Sequence, residues 1–346
     1  MDKRITMKDI AKELGISINA VSIALNNRIG VSDEMRLKVL RTANELGYID
    51  SNSRFLRTFE HFNFCVMMQD IYTSDMDFYG KVLYSAVQES KNKGYDTLLN
   101  YFNDENMVIP NCIVKRKVSG ILVIGKISNE NVVTLKSFNI PIVLIDHALM
   151  SSNANCILTD NKSGGFIATQ YLIKAGFDRI GFFGDLSYSQ SIKERFSGFV
   201  EALVYEEIIK ANQQDKYISK YSITDNLEQH VLGNDVEAIV QLLSLQKVLP
   251  QAYFCSNDHA AVILISALRK KGLRVPQDIS LIGFDNVDLC EKITPKLTSV
   301  NVNKEVMGQR AVLQLLHLIE GKKEVNENIV LGVELVVRAS VLIVKT

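Results

Sequence analysis

The 346-residue sequence predicts an α/β protein, with a small three-helix head followed by a large body of parallel β-sheets covered by helices. Three observations carry this expectation. The first fifty residues place apolar side chains at helical spacing and contain no strand-like run. From Phe62 onward, short apolar runs alternate with amphipathic stretches. The body is too long for one simple doubly wound sheet, so two similar lobes are expected.

Residues 6–26, TMKDIAKELGISINAVSIALN, read as two short helices joined by a tight turn. Thr6 caps the first, and Asp9 stands at the capping-box spacing. Met7, Ile10, Ala11 and Leu14 recur at i, i+3, i+4 and i+7, so they share one apolar face. Gly15 stops this helix and Ser17 caps the next, whose inner face is Val21, Ala24 and Leu25. Ser32 followed by Asp33 and Glu34 starts a third helix, which Gly47 ends after Leu46. Helix, glycine turn and helix is the arrangement of the DNA-binding helix-turn-helix. A Gly turn between two helices also fits any small helical hairpin. The third helix, and an outer face of Ile18, Asn19, Ser22 and Ile23, favour a groove-reading element over a solvated surface. Residues 1–58 hold 10 Lys and Arg against 7 Asp and Glu, net +3; the remainder holds 29 against 32, net −3. A basic head on an acidic body fits a nucleic-acid-binding module joined to something else.

In the body, FNFCVMM, GILVIG, IPIVLID, RIGFFGD, QAYFCSND and ISLIGFD read as buried strands. Helical stretches such as Gly164 to Ala175 and His259 to Lys271 lie between them. This alternation implies parallel sheets with right-handed crossovers. Open parallel sheets bind ligands beyond the carboxyl ends of their strands. Polar residues stand at five such ends: Asp70, Asp146, Asp185, Asn257 with Asp258, and Asp285. As a set they can chelate the hydroxyls of a small polar ligand. Taken singly, an Asp after a strand is more often a helix N-cap, and Asp160 and Asp258 fit that role. Arg195, in KERFSGF, suits a bidentate clamp, or is a solvated helix charge. Phe78 and Tyr79 can stack on an apolar ligand face, or belong to the core.

Catalytic signatures are lacking: there is no G-x-S-x-G, no GKS or GKT, no G-x-G-x-x-G and no HExxH. Gly164-Gly165 opens a helix without the other features of a phosphate loop. The five histidines are scattered, and the five cysteines lack C-x-x-C spacing and read as core thiols. The sequence is therefore read as a non-enzyme with no cofactor and no metal. No apolar run approaches the ~20 residues of a membrane span, and the N-terminus has no signal-peptide core. No membrane partner and a cytoplasmic location are expected.

The chain resembles the lactose-repressor (LacI/GalR) family of bacterial transcription regulators over essentially its full length. The resemblance is carried by ITMKDIAKELGISINAVSIALN from Ile5 to Asn26, Val31-Ser32, ELGY from Glu45 to Tyr48 and TDNKSGG from Thr159 to Gly165. It continues through RFSGF from Arg195 to Phe199, SND from Ser256 to Asp258 and VPQDISLIGFDN from Val275 to Asn286, to TPKLTSV (294–300) and VRASV (337–341). It implies a helix-turn-helix domain over 1–50, a hinge over 51–61 and a periplasmic-binding-protein-like core over 62–346. The core would have one lobe of about 62–160 and 296–323 and another of about 161–295 and 324–346. It also implies a homodimer on a pseudo-palindromic double-stranded DNA operator, with a small-molecule effector between the lobes. By position, the effector contacts would be Asp146, Arg195, Asn257 and Asp285, with Phe78 or Tyr79 lining the cleft. Some members carry a C-terminal tetramerising helix; this chain stops at Thr346, so a dimer is expected. The DNA-facing set is Thr6, Ser17, Ile18, Asn19, Ser22, Ile23 and Asn26, joined by Arg54, Leu56 and Arg57 in the linker.

Two positions depart from the family pattern. Ile23 stands where a basic residue often follows the recognition-helix Ser. It can meet a thymine methyl but cannot pair with a guanine edge, so read positions should lean toward A·T, with Asn19 suited to adenine. The linker IDSNSRFLRT (49–58) lacks the usual Pro and is one residue short. Leu56 is the expected minor-groove wedge, with Arg54 and Arg57 on phosphates, and a flexible linker is the competing reading. The leading functional expectation is a repressor answering to a sugar. A nucleobase, a nucleoside or a protein co-regulator is the alternative signal. A cytoplasmic solute-binding protein or a sugar-modifying enzyme fits less well.

Overall fold

The computed structural model describes residues 5–25, 30–46, 48, 63–149, 154–321 and 325–343. Three helices form the head: α1 (Met7–Leu14), α2 (Ile18–Leu25) and α3 (Asp33–Glu45). Ile10, Ala11, Val21, Ala24, Leu25, Val39, Ala43 and Tyr48 bury their side chains together in its core. Met7 and Leu14 pack on the rim of that cluster, so the expected apolar faces are the ones that meet. Gly15 ends α1 in the left-handed conformation at φ +65°, and the next amide, Ile16 N–H, donates to Ala11 O at 3.1 Å. Glycine adopts this geometry without a Cβ penalty.

The chain divides into two compact units, 1–158 with 304–329, and 159–303 with 330–346. The first contains a six-stranded sheet in the order β10-β5-β4-β3-β1-β2. Its strands are β1 (Asn63–Gln69), β2 (Asp96–Phe102), β3 (Gly120–Ile124), β4 (Ile142–Ile145), β5 (Asn155–Thr159) and β10 (Asn328–Leu331). The pairs from β2 through β5 are parallel. Its helices are α4 (Tyr79–Asn92), α5 (Asn111–Val114), α6 (Asn129–Lys136) and α14 (Lys304–Ile319). α14 packs along α4 so closely that a Cβ on Gly308 would lie 2.5 Å from Val82 O.

The second unit contains a five-stranded sheet in the order β11-β9-β8-β7-β6. It comprises β6 (Ile180–Phe183), β7 (Ala252–Cys255), β8 (Ser280–Asp285) and β9 (Thr298–Asn301), all parallel, with β11 (Glu334–Val336) antiparallel to β9. Its helices are α7 (Asn161–Lys174), α8 (Gln190–Tyr205), α9 (Gln214–Tyr221), α10 (Glu228–Leu232), α11 (Val236–Leu245), α12 (Asp258–Lys270) and α13 (Leu289–Lys292). α7 and α8 touch through paired glycines. A Cβ on Gly165 would stand 2.0 Å from Arg195 O, and one on Gly198 would stand 1.9 Å from Lys162 O. In the Gly164-Gly165 pair, Gly165 thus serves helix packing, whereas Gly164 faces the Phe284 ring of β8.

The crossings between units fall at 158/159, 303/304 and 329/330, whereas the sequence expectation put them at 160/161, 295/296 and 323/324. The second differs most, because β9 pairs with β8 and so stays in the second sheet. All five cysteines are free thiols. Among the described residues no helix is long and apolar enough to cross a membrane.

Candidate functional site

The head presents α2 as its outward helix. Two polar residues fix the helix starts. The Asp9 carboxylate accepts from both the Thr6 N–H (2.8 Å) and the Thr6 hydroxyl (2.6 Å), while Ser17 Oγ accepts from the Ala20 N–H at 3.0 Å. With Val21, Ala24 and Leu25 turned inward, Ile18 (49% exposed) and Asn19 face solvent. Ser22 and Ile23 are half-buried, and Ile23 leans over Gly30, where a Cβ would meet its Cδ1 at 3.4 Å. Sequence reasoning missed Arg36. Its guanidinium is buried against the end of α2 and donates to Ile23 O (3.4 Å) and Ala24 O (3.2 Å). A cation there satisfies terminal carbonyls and opposes the negative end of the helix dipole. An Arg in the third helix of the sequence carries no sign of this partner. Asn26, Arg54, Leu56 and Arg57 lie outside the described residues, as does the hinge at 51–61.

In the first unit, Asp146 follows β4 in the left-handed region, at φ +60°. Its Oδ2 accepts from the Tyr79 hydroxyl at 2.9 Å. Burial pushes the Tyr79 phenol well above its ordinary value, and the Asp146 charge adds to the shift. The Tyr79 ring lies 4.2 Å from that of Tyr72, and Phe78 meets it edge-on at 4.9 Å. Phe78 itself is only 4% exposed, with Lys304 Nζ 5.7 Å from its ring centroid. Of the two aromatic candidates, Tyr79 carries the polar contact and Phe78 is core.

In the second unit, Arg195 on α8 is buried, which removes the solvated-charge reading. Its Nε donates to Asn161 Oδ1 (2.9 Å), Nη1 to Ser256 O (2.6 Å) and Nη2 to Asp285 Oδ1 (3.1 Å). The guanidinium lies 3.8 Å above the Phe284 ring, and that ring fills the slot left by Gly164, where a Cβ would stand 2.5 Å from it. Asp285 holds φ +99° and Asn286 φ +52°, so the end of β8 is strained in the same sense as Asp146.

Two neighbouring expectations are exchanged. Asn257, not Asp258, caps α12, its Oδ1 accepting from the Ala260 N–H at 2.8 Å. That commits one atom of a predicted effector contact and leaves only its amide group for other work. Asp258 is fully buried and accepts from Ser299 Oγ (2.6 Å) and the Val287 N–H (2.9 Å). Burial, with the Asp285 charge adding, pushes its carboxyl up to about 7. Asp160 caps α7 as its position implies, accepting from the Ser163 N–H at 3.0 Å. Asp185 is a loop organiser. It accepts from Ser187 N–H and Oγ and from the amides of Leu227 and Glu228. Burial opposes its ionisation, but these bonds hold its carboxyl below the usual range.

Glu228, which the sequence did not single out, is 5% exposed, and its Oε2 has no hydrogen-bond partner. Burial first, and the Asp185 charge second, raise its carboxyl to about 7; Arg195 and His259 oppose this. Between its ordinary value of 4.5 and about 7, the folded chain holds a proton that the unfolded chain has lost. Stability should therefore be full below pH 4.5 and fall as pH rises through 7, by roughly 3 kcal/mol at ~1.36 kcal/mol per unit. Glu228→Gln is expected to flatten that part of the profile in urea unfolding at pH 5 and pH 8. An unchanged profile would contradict it. Among the described residues no His, Cys, Asp and Glu cluster can hold a metal ion.

Comparison with known proteins gives the family and the fold. The family profile described as bacterial regulatory proteins, lacI family, matches residues 6–51, and that of a periplasmic binding protein-like domain matches 169–341. A protein of Mannheimia succiniciproducens named HTH-type transcriptional repressor PurR is 31% identical over 341 residues, covering 97% of this chain and 98% of that one. Two solved structures share the fold. A LacI family transcriptional regulator from Enterococcus faecium with bound ribose has a TM-score of 0.68 at 23% identity, covering 82% of this chain and 100% of its own. The lac repressor dimer bound to operator and an anti-inducer has a TM-score of 0.66 at 22% identity, covering 98% and 100%.

Proposed function

Because the chain belongs to the lacI family of bacterial regulatory proteins, we propose that it is a DNA-binding transcriptional repressor, and not an enzyme, whose operator affinity is set by a small ligand. The observation that carries the reading is α2, with Val21, Ala24 and Leu25 buried and Ile18 and Asn19 outward on a capped, compact head. Such a helix fits the major groove, and a role on DNA puts the protein in the cytoplasm. The effector contacts in this reading are Asp146 with Tyr79 in the first unit and Arg195 with Asp285 in the second. Ionised carboxylates accept from hydroxyls, which favours a sugar. The tilted Tyr72–Tyr79 pair favours a planar ring and keeps a nucleobase as the second reading.

The repressor acts as a homodimer in this proposal. Leu98, Leu99 and Tyr101 on the edge strand β2, and Tyr84 on α4, are exposed apolar residues that a second copy would cover. Selection of binding sites from random duplexes is expected to return two half-sites related by two-fold symmetry, ~34–36 Å apart, with A·T pairs at the read positions. Asn19→Ala should weaken binding by roughly 1–3 kcal/mol per half-site and relax one position. Asymmetric or G·C-rich sites would contradict the proposal.

A further inference from the structure

Two thiols of the first unit stand close together where three elements meet. Cys65 lies in β1 and is fully buried, and Cys112 lies in α5 and is partly exposed. Asn100, on the edge strand β2, bridges them. Its Nδ2 lies 3.5 Å from Cys65 Sγ and 3.9 Å from Cys112 Sγ. Sulfur is a weak acceptor, so an amide shared between two of them is a rare use of a strong donor. The thiols also feel each other directly. Burial first, and then the Cys112 thiol, push the Cys65 thiol far above its ordinary value, while Asn100 opposes the shift.

α5 is tied in turn to the start of β1. Cys112 O accepts from the Lys117 N–H at 2.7 Å, Lys117 O from Asn63 Nδ2 at 3.3 Å, and Asn63 O from the Ser119 N–H at 2.9 Å. Asn63 is the first residue of β1, where the chain arriving from the head enters the sheet. Movement of α5 is therefore felt at the point of entry.

We propose that Cys65 and Cys112 form a peroxide-sensitive dithiol whose closure to a disulfide weakens operator binding. Hydrogen peroxide from solvent reaches Cys112 first, because Cys65 has no exposed surface. The Cys112 thiol becomes a sulfenic acid, and the peroxide is reduced to water. The Cys65 sulfur then attacks that of Cys112. The S–S bond forms, the S–O bond breaks, and the hydroxyl leaves as a second water with the Cys65 proton. Two thiols and one peroxide thus give one disulfide and two waters. Closure replaces a non-bonded contact with a shorter covalent bond, so α5 moves toward β1 and the bonds at Lys117 and Asn63 move with it. In a reducing compartment such a disulfide is transient, which suits a signal. The sulfur chemistry stands apart from the effector, and only the operator readout draws on the repressor reading above.

The full-length protein, reduced and then treated with a small excess of hydrogen peroxide, should lose two of its five thiols. Its tryptic map should contain a peptide pair joined through Cys65 and Cys112. Cys112→Ser should keep every thiol it has at the same dose, and Cys65→Ser should stop at a sulfenic acid that dimedone captures. The duplex returned by selection from random sequence should bind roughly five- to a hundred-fold more weakly after oxidation, the usual span of a coupling between sites, and recover with dithiothreitol. Cys112→Ser should hold the reduced affinity throughout. Intact thiols under peroxide, a different joined pair, or equal thiol loss in Cys112→Ser overturns the proposal. So does a Cys65–Cys112 link that leaves duplex affinity unchanged. The peptide map needs no variant, so a substitution that fails to fold still leaves a decisive result. A protein that binds no duplex in either state removes the repressor reading and the regulatory step with it, whereas the thiol count and the peptide map still decide the chemistry of the pair.

Discussion

Arg195→Met is expected to destabilise the protein by about 3–5 kcal/mol and to abolish its response to effector. The side chain is 6% exposed and ties together three stretches of the second unit: Asn161 in α7, Ser256 after β7, and the end of β8, where it pairs with Asp285 and lies over the Phe284 ring. Methionine keeps much of the volume but leaves the Asp285 carboxylate without its cation. Removing one partner of a buried pair costs far more than the 0–1 kcal/mol of an exposed one. Arg195→Lys should rescue little, since one ammonium cannot reproduce a planar fork directed at three acceptors above a ring. Urea unfolding of the three proteins at pH 7 decides the matter. A loss below about 1 kcal/mol would return Arg195 to the standing of a surface charge.

Gly165→Ala should cost about 1–3 kcal/mol, and the direction is not obvious in advance. Alanine is better than glycine in a helix interior by roughly 1 kcal/mol, so an exposed site would gain. Here the added methyl would stand 2.0 Å from Arg195 O, a backbone atom that cannot swing aside. α7 and α8 must separate, and overpacking of this kind typically costs 1–3 kcal/mol or more. Because the obstructing carbonyl belongs to Arg195, the shift should also move the guanidinium and weaken effector binding. Gly272→Ala is not an equivalent control, because Gly272 sits at φ +76° and resists substitution for a different reason. A Gly165→Ala protein that unfolds at the same urea concentration as its parent, with unchanged effector affinity, would refute the close-contact account.

Much of this was legible in the sequence, and the exceptions share a cause. The head was readable because caps, glycine turn and apolar faces all act within a few residues. The buried runs of β1, β3, β4, β6, β7 and β8 were readable because both sheet faces are covered, leaving unbroken apolar stretches. β2 escaped notice because as an edge strand its side chains are largely exposed. β5, β9, β10 and β11 (NCILT, TSVN, NIVL and ELV) mix polar with apolar residues and offer no long unbroken apolar run. Asp146 and Asp285 were singled out by strand ends, and Arg195 by its helix and its family position. Their partners were not: Tyr79 reaches Asp146 across 67 residues and Arg195 reaches Asp285 across 90. The exchange of roles between Asn257 and Asp258 had the same root. Either residue can cap a helix, and the choice depends on Ser299 and Val287, which arrive much later in the chain.

The division at 158/159 and 303/304 also sets an order of events during synthesis. Strands β1 to β5 of the first unit's sheet are translated early, but α14, which packs on α4, β3 and β4, begins only at Lys304. At roughly 5–20 residues per second, residues 159–303 hold the ribosome for about 7–30 s. Throughout that interval the apolar faces that await Met307, Ala311 and Leu315 have no cover, although these three side chains are fully buried in the finished protein. Secondary structure forms in microseconds, so the nascent first unit waits on its last helix and not on its own chemistry. Apolar surface exposed in this way is what holding chaperones bind, so slower translation of 159–303 is expected to lower the yield of folded protein, as expression with rare and with common codons over that stretch would measure.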